Sequence, residues 1–165
     1  MSEMTVERLP AQGMLTIRGE FSEIGPVVLE KTGCAIPEPR MVTRSEDRAL
    51  LWMSPDELML VCPYADAESR GGALFDRLGD AFATVVDVSD ARQVFALYGR
   101  GVENALAALM PIDFARMRPD EVRRTRMAQI PAAIWREGEG WRLMCFCSVA
   151  TYARDLLEGA GFAGG

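Results

Sequence analysis

Histidine is absent from the sequence. Its absence removes Ser-His-Asp and Cys-His catalysis within the chain, together with every metal site that needs an imidazole. Lysine is nearly absent as well. Lys31 stands alone, and nothing around it favours a Schiff base. Positive charge is in deficit overall: the formal net charge of −6 argues against nucleic acid or an anionic membrane as a general partner. No apolar run reaches the length needed to cross a bilayer, and MSEMTVERLP at the N-terminus lacks the apolar core of a secretory signal. A cytoplasmic location is therefore expected. Cysteines are few. Cys34, Cys62, Cys145 and Cys147 sit in apolar surroundings, as reduced cytosolic thiols do.

What is present is the composition of an ordinary soluble protein, 49% hydrophobic and 25% charged. A chain of 165 residues should form a single compact unit over 1–165 that buries roughly 68–70% of its unfolded surface without needing a metal or a disulfide. GMLTIRGEF (13–21) alternates as a strand, and a weaker helical stretch follows from Ser22 to Lys31 with Gly33 as its stop. Pro26 leaves the start of that helix open. Residues 33–48 read as loop. ALLWM and ELMLVC flank a Pro55–Asp56 turn as a hairpin. Asp66 is placed to cap a helix with Ala67, Leu74, Phe75 and Leu78 on its apolar face, and AFATVVDV returns as a strand.

The second part nearly repeats this order. QVFALYG is a strand, and Val102, Ala105, Leu106, Leu109 and Met110 form one helical face. MAQIPAAIW is a strand interrupted at Pro131, and WRLMCFC follows the EGEG turn. Ser148 is placed to cap a last helix carrying Val149, Tyr152, Ala153, Leu156 and Leu157. The fold class expected is α+β: two small βαββαβ-like halves, 13–88 and 92–160, mostly antiparallel sheets with helices on one face, and a flexible tail at 161–165.

Four segments invite functional readings. Gly99-x-Gly101 leads from a strand into a helix, but Asn104 stands where a dinucleotide fingerprint needs its third glycine. Cys145-Phe146-Cys147 puts two thiols on one strand face, where small buried hydrophobes explain them better than zinc. Arg116, Arg118, Arg123, Arg124 and Arg126 form the one basic cluster. It is either a solvated loop balanced by Asp113, Asp120 and Glu121, or a surface for an anion or an acidic partner. DVSDAR (87–92) concentrates polar groups between two apolar runs, where Asp and Ser commonly close turns onto backbone N–H groups.

Taken in order, WMSPDELMLV with Asp56, VVDVSDAR…ALYG with Asp87, Ser89 and Gly99, MPIDF with Asp113, RRT with Thr125, and CSVATYARDLL with Ser148 resemble the gamma-subunit family of heterotetrameric sarcosine oxidases over about residues 15–158. More remotely they are similar to the folate-binding domain of the glycine-cleavage T protein, an aminomethyltransferase. Cys147 stands where the family usually has arginine. The resemblance implies an aminomethyltransferase-like fold and a non-catalytic accessory subunit, with no catalytic, cofactor or metal site of its own. Its implied partners are alpha, beta and delta subunits holding FAD, FMN, NAD and tetrahydrofolate. That assembly would demethylate sarcosine to glycine, with one-carbon transfer to tetrahydrofolate and formation of peroxide. Homo-oligomers are conceivable for the isolated chain. The alternatives are a stand-alone folate-binding one-carbon carrier and a folate-dependent iron–sulfur maintenance protein. The first would need an aspartate in a glycine-rich turn, where Gly138-Glu139-Gly140 has none. The second would need Lys-Gly-Cys, where Lys31-Thr32-Gly33-Cys34 inserts a residue.

Overall fold

The computed structural model describes residues 4–163. Ten strands and four helices follow one another as β1 (Thr5–Arg8), β2 (Gln12–Gly19), α1 (Phe21–Thr32), β3 (Val42–Ser45), β4 (Arg48–Ser54), β5 (Glu57–Pro63), α2 (Ala67–Leu78), β6 (Ala83–Asp87), β7 (Arg92–Tyr98), α3 (Val102–Leu109), β8 (Val122–Met127), β9 (Ile130–Glu137), β10 (Gly140–Phe146) and α4 (Ala150–Ala163). By residue contacts they divide into two compact units. One is Ala11–Asp90; the other combines residues 4–10 with 91–163.

Each unit holds a five-stranded sheet, ordered β3-β4-β5-β2-β6 in the first and β8-β9-β10-β7-β1 in the second. Every strand pairing is antiparallel. The fold is thus α+β, as expected. The two orders are the same topology, with one exchange. In the first unit the last strand, β6, pairs with β2. In the second the equivalent place beside β7 is filled by β1, from the other end of the sequence.

Alternation builds each core. Leu15 and Ile17 of β2, Leu50 of β4, and Leu58, Leu60 and Cys62 of β5 meet Ile24 and Val28 of α1 and Leu74 and Leu78 of α2. In the second unit Phe95, Leu97, Ile134, Leu143 and Cys145 meet Leu106 of α3 and Ala153 and Leu157 of α4, while Met4 and Val6 arrive from the β1 side. Each large side chain so buried contributes about 1.5–3 kcal/mol, enough to dock its helix.

Several expectations are corrected. Helix α1 starts at Phe21, and Pro26 lies inside it rather than in its first turn; Gly33 at φ 75 ends it with an N–H bond to Leu29 O at 2.9 Å. A Cβ at Gly33 would lie 2.7 Å from Ser45 Oγ. Residues 42–45, read as loop, are a strand paired with β4. Met127 does not begin the strand containing Pro131. It ends β8, and Ala128-Gln129 turn the chain into β9. Pro131 is accommodated because pairing of β9 with β10 stops at Ala133. Phe75 and Tyr152, placed on apolar helix faces, are exposed instead. The tail expected at 161–165 is helical through Ala163, and 164–165 lie outside the described residues.

Candidate functional site

The polar segment 87–92 is where the chain passes from one unit to the other. Its groups close on one another. Asp87 Oδ1 accepts from the Ser89 N–H at 2.9 Å and from the Ser89 hydroxyl. Buried Ser89 in turn accepts the Met14 N–H at 2.9 Å, and Val88 N–H reaches Met14 O at 2.9 Å. Asp90 accepts from the Tyr64 hydroxyl at 2.8 Å. Arg92, across the junction, stacks over Phe146 with 4.2 Å to the ring centroid. These are the bonds by which short polar side chains fix a turn.

The remaining motif positions occupy separate elements. Asp56 lies in the β4–β5 turn, accepting from Ser54 Oγ at 2.8 Å, while its own carbonyl accepts the Gly19 N–H. Gly99, at φ 108, links β7 to α3. Asp113 precedes a short 3-10 turn (Phe114–Arg116) and pairs with Arg116 at 3.5 Å. Thr125 is in β8 opposite Ala132, and Ser148 is exposed in the 3-10 turn that leads into α4.

The arginine cluster is only partly a solvated loop: Arg116 and Arg118 are exposed in the segment before β8. Arg123, Arg124 and Arg126 belong to strand β8, an edge of its sheet. Glu121, just before it, is buried at 2% exposure. Its carboxylate accepts the Arg118 N–H at 2.9 Å, Arg118 Nε at 3.4 Å, and Arg123 Nε. Burial alone would raise its pKa, but the Arg118 N–H together with the Arg123 and Arg118 side chains outweighs that and holds the carboxyl below its ordinary value. The signal for this buried acid was present in RPDEVRR, where Glu121 is flanked at −3 and +2 by arginines.

The sign of the pH effect follows. A carboxylate whose folded pKa is depressed adds stability that is present above its unfolded value, about 4.3, and is lost as pH falls through the lower folded value. Glu121→Gln is expected to cost about 1–2 kcal/mol at neutral pH, held to that range because Arg118 and Arg123 are part-exposed. Urea titrations should show the loss at pH 7, and the difference from wild type shrinking towards pH 3. An unchanged midpoint at pH 7 would remove Glu121 as the organiser of this surface.

All four cysteines are free. Burial pushes the Cys62 and Cys145 thiols up to about 11, so both are protonated and unreactive near neutral pH. Among the described residues no three Cys, Asp or Glu side chains converge as a metal site would require, and no helix is long and apolar enough to cross a membrane. The Gly99–Gly101 turn serves an antiparallel sheet, not the parallel strand–helix–strand unit of dinucleotide binding.

Large apolar side chains are left outside both cores. On the first unit Phe82 is 95% and Phe75 69% exposed, with Leu29 half exposed on α1. Glu30 of α1 and Arg77 of α2 pair at 3.1 Å.

No family model matches the chain. In sequence it is 34% identical over 98 residues to the sarcosine oxidase subunit gamma of Arthrobacter sp., covering 58% of this chain and 47% of that one. To the sarcosine oxidase subunit gamma of Corynebacterium sp. (strain P-1) it is 29% identical over 120 residues, covering 70% and 58%. The chain spans about half the length of the curated relatives it matches. In fold it is similar to a chain of the heterotetrameric sarcosine oxidase from Corynebacterium sp. U-96 solved in complex with pyrrole 2-carboxylate. The TM-score is 0.90 at 23% identity, over 99% of this chain and 87% of that one. It is also similar to the glycine cleavage system aminomethyltransferase T from Bartonella henselae, with a TM-score of 0.74 at 14% identity, over 96% and 46%. The resemblance read from the ordered motifs therefore recurs as sequence similarity to gamma subunits and as an aminomethyltransferase-like fold.

Proposed function

We propose that this chain is the gamma subunit of a heterotetrameric sarcosine oxidase and that its role is assembly rather than catalysis. The observation that carries the reading is the similarity to gamma subunits at 29–35% identity. The physical support is the apolar surface that neither core uses. Leaving two phenylalanines in water forgoes a few kcal/mol each, which burial against a larger subunit recovers. The alpha, beta and delta subunits would hold FAD, FMN, NAD and tetrahydrofolate and carry out the oxidation of sarcosine to glycine in the cytoplasm. This chain would bind none of them. Asp56, Asp87, Ser89, Gly99, Asp113 and Ser148 then serve as turn and strand-end positions of the scaffold, and Thr125 as a position within β8. Arg116, Arg118, Arg123, Arg124 and Arg126 serve as partner contacts.

The test is co-expression of the tagged chain with the alpha, beta and delta subunits from the same cells. Phe75→Glu and Phe82→Glu should each reduce their recovery with the tagged chain at least tenfold while leaving its own thermal midpoint within about 2 °C, since both side chains lie outside the core. Recovery equal to wild type for both variants would place the assembly surface elsewhere. A wild-type chain that recovers no subunits but binds tetrahydrofolate would overturn the assembly reading in favour of a one-carbon carrier.

A further inference from the structure

An edge strand offers unpaired backbone groups to any strand that comes alongside, and proteins usually keep such edges short, bulged or charged. The four edges here are β1 and β3 with four residues each, β6 with five, and β8 with six. β8 is the longest. It also carries no bulge, since its pairing with β9 runs from Val122↔Trp135 to Met127↔Ile130 without a register shift. Three of its six residues are arginines and none is acidic, in a chain of net charge −6.

Two of those arginines, Arg123 and Arg126, make hydrogen bonds within the chain. Arg123 and Arg118 each set Nε on buried Glu121. Arg126 anchors Nη1 on its own turn at Ala128 O, 2.9 Å away. Arg124 and Arg126 are exposed and share one face of the strand, two residues or roughly 6.6 Å apart. Arg123 lies on the other face. The pattern decides the occupant. A second copy of β8 would set arginine against arginine, which like-charge pairs across strands disfavour. An extended acidic segment would instead set carboxylates at alternate positions beside the positive charges of Arg124 and Arg126.

From this geometry we infer that β8 is a docking edge for an extended acidic segment of a partner subunit, added as a sixth strand beside Val122–Met127. The inference rests on the assembly reading above and specifies one of its contacts. Main-chain bonds along β8 supply the fit, and Arg124 and Arg126 supply the selection for acidic over basic or neutral strands.

The experiment uses the tagged full chain co-expressed with the alpha, beta and delta subunits from the same cells, as wild type, as Arg124→Glu/Arg126→Glu and as Arg124→Lys/Arg126→Lys. Thermal midpoints of the isolated chains confirm folding, because both side chains are exposed. The expected result is assembly at least tenfold weaker for the Glu pair and within about threefold of wild type for the Lys pair. Wild-type assembly should also loosen as NaCl rises from about 0.1 to 0.5 M, and the Glu pair should lose that salt dependence. A Glu pair that assembles with wild-type affinity and salt response overturns the docking edge while leaving the assembly reading intact. A wild-type chain that recovers no subunits at low salt overturns both.

Discussion

Deleting residues 1–10 should unfold the unit built on β7, β8, β9 and β10 while residues 11–90 keep their structure. β1 has four residues, yet it supplies four register pairs to β7, Thr5↔Tyr98 through Arg8↔Phe95. Next to it, the Leu9 N–H donates to Val94 O at 3.0 Å, Gln93 Nε2 donates to Leu9 O at 2.8 Å, and Arg8 Nε donates to Gln93 Oε1 at 3.0 Å. Met4 is buried in the second core and Val6 packs on its border. Removing a buried Met alone costs about 2–5 kcal/mol, and the lost hydrogen bonds add about 1 each. That total rivals the 5–15 kcal/mol by which a domain is stable. The first unit draws its sheet and core from Ala11–Asp90 alone. Hydrogen exchange is the readout: amides of Arg92–Tyr98 should lose protection and those of β2, β4 and β5 should keep it. Full protection across β7 in the truncated chain would show that β1 contributes little.

The second large effect is expected at Gly140, the first residue of β10. A Cβ there would lie 2.7 Å from Leu97 O and 2.6 Å from Tyr98 Cδ1. The tyrosine ring can swing, since Tyr98 is part-exposed, but the Leu97 carbonyl belongs to the central ladder of the sheet. Gly140→Ala should therefore cost about 3 kcal/mol through forced separation of β7 and β10. Gly72, exposed in the middle of α2, has nothing within 4 Å of its ideal Cβ. Gly72→Ala should stabilise by up to about 1 kcal/mol in the same denaturation assay, because alanine loses less backbone entropy on entering a helix. Equal effects at the two glycines would contradict this packing account.

The elements that could be read from sequence are those whose burial imposes a period. β2, β4, β5, β7 and β10 carry long apolar runs because they are flanked on both sides within their sheets, and α3 and α4 show the i, i+3, i+4, i+7 spacing of a docked helix. β1, β3 and β8 could not be read. All three are edge strands, and TVER, VTRS and VRRTRM bury too few side chains to alternate visibly. The exchange of β1 for β6 in the second sheet is a long-range pairing between Thr5–Arg8 and Phe95–Tyr98, and no local pattern announces it. Phe75 and Tyr152 were misplaced for the converse reason. They continue an apolar stripe by spacing, yet both are exposed while Leu74, Leu78, Ala153 and Leu157 beside them are buried. As for the candidate site, the basic cluster was visible in composition, but its conversion into an ordered edge depended on Glu121 being buried, and charge balance alone would have left that residue in water.

This chain is proposed to work as a bound subunit. The most direct measurement is to recover the tagged chain from its native cells and record the subunits, the flavin absorbance and the sarcosine-dependent peroxide production of the eluate. The expected result is larger subunits in fixed proportion to the chain, a yellow eluate, and peroxide formed only when sarcosine is added. A lone, colourless chain without that activity would contradict it.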